Sequence, residues 1–532
     1  MKRILTSLIF IAVAYQARAQ NPAITLVKDI YPGPEGSSIR AQAEFNGKLY
    51  FNADDGIHQE ELWVSDGTEA GTQLVKDISL SGSSSITELT AVNGKLVFSA
   101  NDDSNGIELW VTDGTASGTV VLKNIAAGSN SSVPSNFKIF NDKILFTAND
   151  GINGEELWIT DGTAVGTVMV KDINPLGSSY PYGFIELNGK VFFQADNGAN
   201  GTELWATDGT TSGTQMVKDV WADGDSYPRS FAMLNGKLYF RADDNRGDEL
   251  WVSDGTSDGT LFVKDINTAE GDGSSINEFT ELNGKLLFRA RDEASSYELW
   301  ITDGTAEGTQ IVKDIFPGDG ASFPGALTRY NGKIYFQATD GMHNTELWTS
   351  DGTAEGTFMV RDIHPNDYSA PTEFIEYNGL LYFVAIDGTN GSELWVTDGT
   401  ETGTIKIQPD NAVSPLYFIP FFTIYNGNLY FKAEFGTTGA ELWKLSTEPL
   451  STISTDAKSA SIVYPNPVSD RLNINLKNTK IQNVTIYSIS GVKVLDAGNR
   501  QTIDVSQLNA GIYFVKIRND KNEVFYNKII KK

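Results

Sequence analysis

Glu-Leu-Trp occurs nine times in this chain, with Trp63, Trp110, Trp158, Trp205, Trp251, Trp300, Trp348, Trp395 and Trp443 spaced 46 to 49 residues apart. A unit of that length cannot bury both of its faces alone, so it must stack on its own copies, as propeller blades or helical arrays do. The local chemistry separates the two. In the second unit the sequence predicts strands over Ser85–Val92, Lys95–Ala100, Ile107–Thr112 and Thr119–Ile125, broken by Asn93-Gly94, an Asn/Asp/Gly loop and Asp113-Gly114. Asn-Gly and Asp-Gly supply the positive φ that tight hairpins require, so each unit reads as four short antiparallel strands. The repeated tryptophans and Leu-Tyr-Phe strands then read as packing between blades.

The repeat is circularly offset. The chain enters with Leu26-Val27-Lys28-Asp29-Ile30, which matches the last strand of a unit, while the ninth Glu-Leu-Trp at 441–443 lacks its following Asp-Gly-Thr hairpin. The expected fold is therefore all-β: a β-propeller-like ring of about nine four-stranded blades closed by the N-terminal strand, plus a small C-terminal β-sandwich. Nine exceeds the usual range of about four to eight blades, so an open curved array and two smaller rings stay open as alternatives.

The unit Glu61-Leu62-Trp63-Val64-Ser65-Asp66-Gly67-Thr68-Glu69-Ala70-Gly71-Thr72-Gln73-Leu74-Val75-Lys76-Asp77-Ile78 resembles the bacterial ELWxxDGTxxGTxxVKDI repeat, over about residues 24 to 446. The resemblance implies a secreted or surface protein and brings no catalytic residues. The motif departs at Lys123-Asn124 and decays at Ile407-Gln408-Pro409.

The formal net charge is −27, and residues 462–532 carry eleven Lys/Arg against five Asp/Glu, so the repeated body is more acidic still. Such a surface repels phosphate backbones, which argues against nucleic acid as a partner. Without cysteine there is neither disulfide nor thiolate chemistry. The only histidines are His58, His343 and His364, and none recurs across the repeat, which weakens any imidazole base or His-ligated metal.

Residues 1–19 hold Lys2 and Arg3, the apolar run Ile4–Tyr15, and Ala17-Arg18-Ala19 before Gln20, the three parts of a signal peptide. No later segment is apolar for long enough to be transmembrane. The expected organisation is a signal peptide at 1–19, a repeated body at 20–446, a Ser/Thr/Pro-rich linker at 447–461 and a C-terminal domain at 462–532.

Antiparallel connections alternate between two faces, which puts the Asn-Gly and Asp-Gly-Thr turns on one and the longer, more variable loops on the other. Two residues after the alanine of each second strand stand Asp55, Asp102, Asp150, Asp244, Asp292, Asp340 and Asp387, with Asn197 and Phe435 in the other two units. No cofactor is required by this reading, and calcium is the cation that an acidic, Gly-rich loop face suits; the alternative is that these residues only form turns. The symmetry breaks at Trp221, Tyr180-Pro181-Tyr182, Tyr227-Pro228 and Phe323-Pro324, whose aromatic side chains are candidates to stack on a sugar or peptide or simply to pack their loops. The Glu of Glu-Leu-Trp and the Lys of Val-Lys-Asp-Ile are expected to pair across their hairpin. Equivalent carboxylates in most blades single out no acid and base pair for glycoside hydrolysis.

In the C-terminal domain strands are readable at Leu472–Leu476, Val484–Ser488, Lys493–Leu495, Gln501–Val505, Gly511–Ile517 and Val524–Ile530. Tyr464-Pro465-Asn466-Pro467, Ser490-Gly491, Leu508–Tyr513 with Gly511, and the ending Lys528–Lys532 with Lys531 and Lys532 resemble a type A sorting domain of the type IX (Por) secretion system. The resemblance implies export through the periplasm to the cell surface or medium, with the outer-membrane translocon as a partner. Together these features point to a binding or adhesion module, more a binder than an enzyme, with a glycan or surface protein as ligand. An extracellular polysaccharide or peptide hydrolase and a structural surface-matrix component are the alternatives.

Overall fold

A computed structural model describes residues 23–269, 271–389, 391–407, 417–436, 438–446, 461–476, 480–488, 493–508, 511–521 and 524–532. The expected signal peptide, residues 447–460 of the expected linker, and Gly491 lie outside the described residues; Ser461 already opens a strand. Ile24–Leu445 forms one compact unit and Ser446–Lys532 belongs to another. Both are all-β, and among the described residues no helix is long and apolar enough to cross a membrane.

The period-two alternation and the tight turns of each repeat build one four-stranded antiparallel sheet in chain order. Eight sheets run consecutively from Gln42–Phe45 in the first to Ile405–Lys406 in the eighth. The ninth takes Tyr417–Tyr425, Asn428–Phe435 and Thr438–Ser446, and its fourth strand is Ala23–Lys28. In every sheet the phenylalanine of the second strand lies directly opposite the repeated tryptophan, from Phe51↔Trp63 to Phe431↔Trp443. The turn between the first two strands has Asn46 at φ 49° and Gly47 at φ 67°, the left-handed pair that a two-residue hairpin needs.

Each sheet is buried against the next. Trp110, for example, closes a core with Phe45, Tyr50 and Leu62 of the preceding sheet, and Trp300 does so with Tyr239 and Leu250. The ninth and first sheets share a core of the same kind, in which Tyr425, Tyr430, Val27 and Leu442 meet Leu49, Phe51 and Trp63. Tyr425 Oη donates to Gly47 O at 2.6 Å and Lys444 Nζ to Gly67 O at 2.8 Å across the same boundary.

The lysine of Val-Lys-Asp-Ile does not pair with the Glu-Leu-Trp glutamate as expected. Its Nζ donates to the carbonyl of the second threonine in the next sheet's Asp-Gly-Thr hairpin, at 2.5 to 2.8 Å for Lys28, Lys76, Lys123, Lys171, Lys218, Lys264 and Lys313; Arg361 makes the equivalent bond to Thr404. Several of these cations also lie over the next sheet's tryptophan, Lys171 at 5.4 Å from the Trp205 ring. In the eighth sheet, where the motif has decayed, a different lysine, Lys406, stands at the register position of Leu74 and reaches Glu393 Oε2 at 2.9 Å.

The C-terminal unit packs a three-stranded sheet (Ser461–Tyr464, Arg471–Leu476, Thr502–Asp504) against a four-stranded one (Lys493–Gly498, Ile481–Ser488, Gly511–Asn519, Val524–Lys531). Its core is aliphatic, with Val468, Leu472, Val484, Ile486, Val515 and Ile529 fully buried. The strand Ser461–Tyr464 was not among the six expected from the sequence.

Candidate functional site

The longer loops of the body are organised by a buried carboxylate. All nine Glu-Leu-Trp glutamates are fully buried. Glu108 accepts Ile125 N at 2.7 Å, Ala126 N at 3.1 Å, Ser132 N at 3.2 Å and Ser132 Oγ at 2.6 Å, thereby satisfying donors at both ends of the loop that leads into the third sheet. Glu156 and Glu298 repeat this set with Ser179 and Ser322.

The serines are the second half of the device. Ser37, Ser84, Ser132, Ser179, Ser226, Ser274, Ser322 and Ser369 are all buried. Each donates its N–H to a carbonyl at the start of a third strand and accepts from the end of a second strand, as in Ser226 N to Thr202 O at 3.0 Å and Asp243 N to Ser226 O at 2.9 Å. The residue that follows is driven to positive φ in all eight loops: Ser38, Ser85, Val133, Tyr180, Tyr227, Ser275, Phe323 and Ala370 lie between φ 42° and 55°. Side chains of this size rarely accept that conformation, and it persists because the clamp on either side fixes the backbone. The consequence is display: Val133, Tyr180, Tyr227 and Phe323 are 53%, 61%, 44% and 52% exposed.

Three of the five aromatic candidates therefore occupy one structurally equivalent position. Tyr182 stands two residues beyond it and is exposed as well. Trp221 differs: it is half-buried, with its ring against Gly224, where a Cβ would meet it at 2.8 Å.

The aspartates of the neighbouring loop close their own turns. Asp102 Oδ1 accepts Ser104 N at 3.0 Å and Asn105 N at 2.7 Å, and its Oδ2 accepts Asn105 Nδ2 at 2.6 Å. Asp150 does the same with Ile152 and Asn153, Asp292 with Ala294 and Ser295, and Asn197 with Ala199 and Asn200. Asp55 and Asp340 add an imidazole, reaching Nδ1 of His58 at 2.8 Å and of His343 at 3.0 Å. Asp244 receives Arg246 Nε at 2.9 Å, and Asp387 receives Lys406 Nζ at 2.7 Å. Among the described residues, no three His, Asp or Glu side chains converge to hold a metal ion.

Burial pushes the carboxyls of Glu61, Glu203, Glu249 and Glu441 up to about 7, while the donors around them pull the other way. A folded value above the unfolded one, about 4.3, gives stability that is complete below the unfolded value and lost as pH rises through about 7. The turn aspartates act oppositely: the Thr68 hydroxyl and amide lower Asp66, and the same bonds lower Asp208 and Asp303, so their contribution is lost as pH falls below the ordinary carboxylate range. Thermal melts are thus expected to show maximal stability near pH 5, with a lower melting temperature at pH 8. A melting temperature that climbs steadily from pH 5 to 8 would contradict this assignment.

In the C-terminal unit, three distant segments meet. Tyr464, Pro465, Asn466 and Pro467 are exposed in succession, and Val468 just beyond them is bridged to Lys531, with Lys532 N donating to Val468 O at 2.9 Å. Gly511 pairs with Lys531, and Lys528 with Phe514 three residues along the same strand pair. The sorting residues that lie within the described chain thus gather around the closing strand.

The protein is accordingly a propeller-like all-β body joined in sequence to a small β-sandwich domain. Residues 462–532 match the family model of the secretion system C-terminal sorting domain, Por_Secre_tail, so the chain carries a type IX sorting tail and is marked for export to the cell surface or extracellular space. No curated protein matches the chain. Among solved structures it is similar to a chain from a study of two prolyl endopeptidases (11% identity, TM-score 0.37, covering 66% of this chain and 54% of that one) and to puromycin hydrolase (14%, 0.35, 66% and 58%). It is also similar to the β-propeller domain of the Trilobed protease from Pyrococcus furiosus, described as having an open velcro topology (12%, 0.33, 70% and 98%). The chain spans little more than half the length of the first two.

Proposed function

We propose that this is an exported binding protein, delivered by type IX secretion, whose ligand surface is the set of side chains displayed by the serine clamps on a closed ring of nine four-stranded blades. The shared core of the ninth and first sheets supports the closed ring. The observation that carries the binding reading is the placement of Tyr180, Tyr227 and Phe323, all about half exposed, at one rigid, positive-φ position. Aromatic side chains held rigidly outward stack on ligands at little entropic cost. The ligand class is a glycan or a glycan-bearing surface protein.

The test is retention of the purified full chain on immobilised polysaccharides, with reducing ends assayed in the same samples and a chelator added to half of them. Retention without new reducing ends is expected, weakened at least tenfold in the triple variant Y180A/Y227A/F323A. Reducing-end release abolished by one carboxylate substitution would identify a hydrolase instead, and concentration-dependent polymerisation a matrix component. Loss of retention with chelator would bring calcium into the site.

A further inference from the structure

Sheets five and six break the symmetry of the body with cations. Of the eight arginines between residues 24 and 445, five lie between 229 and 291, in a chain of net charge −27. Two are paired off locally, Arg246 with Asp244 and Arg291 with Asp272. Of the other three, Arg241 meets Asp248 and Arg289 Nη1 donates to Pro324 O at 3.4 Å, while no ion pair is seen at Arg229 or Arg289 among the described residues.

At the second-strand position that holds Ser99, Thr147 or Gln337 in other sheets, the fifth and sixth sheets carry Arg241 and Arg289. Arg241 stands directly opposite Arg229 across its strand pair, a like-charge pairing that costs stability. Its side chain is only 17% exposed, and one carboxylate meets it, Asp248 Oδ2 at 3.2 Å from Nη1. The Nε atoms of both Arg241 and Arg289 are buried without a hydrogen-bond partner among the described residues. Those Nε atoms are closed to a ligand as well as to solvent, so a ligand meets only the part of each guanidinium side chain that stays accessible, while the open donors leave the pair under-satisfied within the fold.

Aromatic rings flank the cations. Arg229 lies 5.3 Å from the Tyr227 ring, Arg289 lies 5.8 Å from the Tyr297 ring, and Tyr297 stacks on the displayed Phe323 with centroids 5.3 Å apart at 26°. We infer that Arg229, Arg241 and Arg289, with Tyr227, Tyr297 and Phe323, form a subsite for a carboxylate-bearing sugar, a uronic acid unit within an otherwise neutral glycan. This rests on the binding reading above and specifies its ligand. The planar guanidinium fork matches a carboxylate, and the exposed rings match the flat face of a pyranose. A densely charged polyanion is disfavoured because the acidic body around the subsite repels it, which leaves a ligand with isolated charges.

Calorimetric titration of the full chain with glucuronoxylotetraose, and with xylotetraose as the same backbone lacking the acid, tests this. The acidic tetrasaccharide is expected to bind at least tenfold more tightly, and R229Q and R289Q to remove that preference. Arg229 is exposed, so R229Q is expected to melt like the parent chain and keeps the test interpretable if R289Q disturbs packing. Equal affinity for the two sugars, a preference unchanged in R229Q, or tighter binding of triglutamate than of the acidic sugar would overturn the inference. If xylotetraose binds in a manner lost in Y180A/Y227A/F323A and the carboxylate adds nothing, the arginine subsite fails while the binding reading stands. If neither sugar binds, the subsite fails outright.

Discussion

Replacing Glu108 with alanine is expected to lower the melting temperature of the body by about 3–6 °C. The carboxylate is fully buried and accepts four hydrogen bonds, two from the amides of Ile125 and Ala126 and two from Ser132. Truncation leaves those donors in a site closed to solvent, at a cost of about 1–3 kcal/mol for each that water cannot reach. Partial hydration of the cavity offsets some of this, which puts the net loss at about 3–5 kcal/mol. Glutamine is expected to recover little, because its amide nitrogen would face donors where an acceptor is needed. The effect is also local. Val133, held at φ 48° by Ser132, should relax to an ordinary conformation, so the segment 130–135 is expected to become a site of limited proteolysis. A melt unchanged in E108A, with the segment still protected, would show that the carboxylate is not what fixes this loop.

The sequence made the scaffold readable because the repeat writes the same register nine times. Phe98 facing Trp110, the Asn-Gly hairpins and the offset N-terminal strand all follow from period and turn chemistry. The clamp was harder to read for a physical reason. Glu108 and Ser132 are 24 residues apart, one in a strand and the other in the loop that leads to the next sheet, so no local pattern links them, and a charged residue beside Leu-Trp looks like a cross-strand partner for lysine. The signal that could have revealed it was the recurrence of serine before the Pro or Ile that opens each new sheet, from Ser37 to Ser369. Tyr180, Tyr227 and Phe323 stood out in sequence as irregularities, and the same Ser-x-Pro signal marks them as equivalent, which their shared positive φ then makes explicit. The aspartates left two readings open in the sequence, a cation-binding face or turn formation. Asp102 and Asp150 form a periodic acidic series along the chain, whereas in space each is occupied by amides two and three residues ahead.

The separation of clamp from display gives the body a division of labour. Glu and Ser bear the structural constraint and stay buried, so the residue between Ser and Pro or Ile can vary in size and polarity, from Ala370 to Phe323, without altering the frame that presents it. A surface built this way is rigid where the backbone is concerned and free to differ in chemistry from sheet to sheet. That is how one repeated unit presents Tyr227 beside Arg229 in one sheet and Ser85 in another.

Removing residues 462–532 is expected to abolish surface delivery and leave the body in the periplasm. The deleted segment is the sorting domain, and Ile24–Leu445 is a separate compact unit with its own cores, so the truncated chain should fold and melt as before. A smaller change sharpens the assignment. Lys531 and Lys532 tie the chain end to Val468, beside the exposed Tyr464–Pro467 segment, through the Val468–Lys531 bridge and the bond from Lys532 N to Val468 O. Omitting these two residues spares most of the aliphatic core while releasing that segment from the closing strand. If recognition reads the assembled edge, the two-residue deletion should also block delivery, measured as loss of protease accessibility on intact cells with the protein retained in periplasmic fractions. If it reads only the Tyr464–Pro467 sequence, the short deletion should be delivered normally. Surface delivery unchanged after loss of the whole of 462–532 would remove export by this tail from the account of the protein.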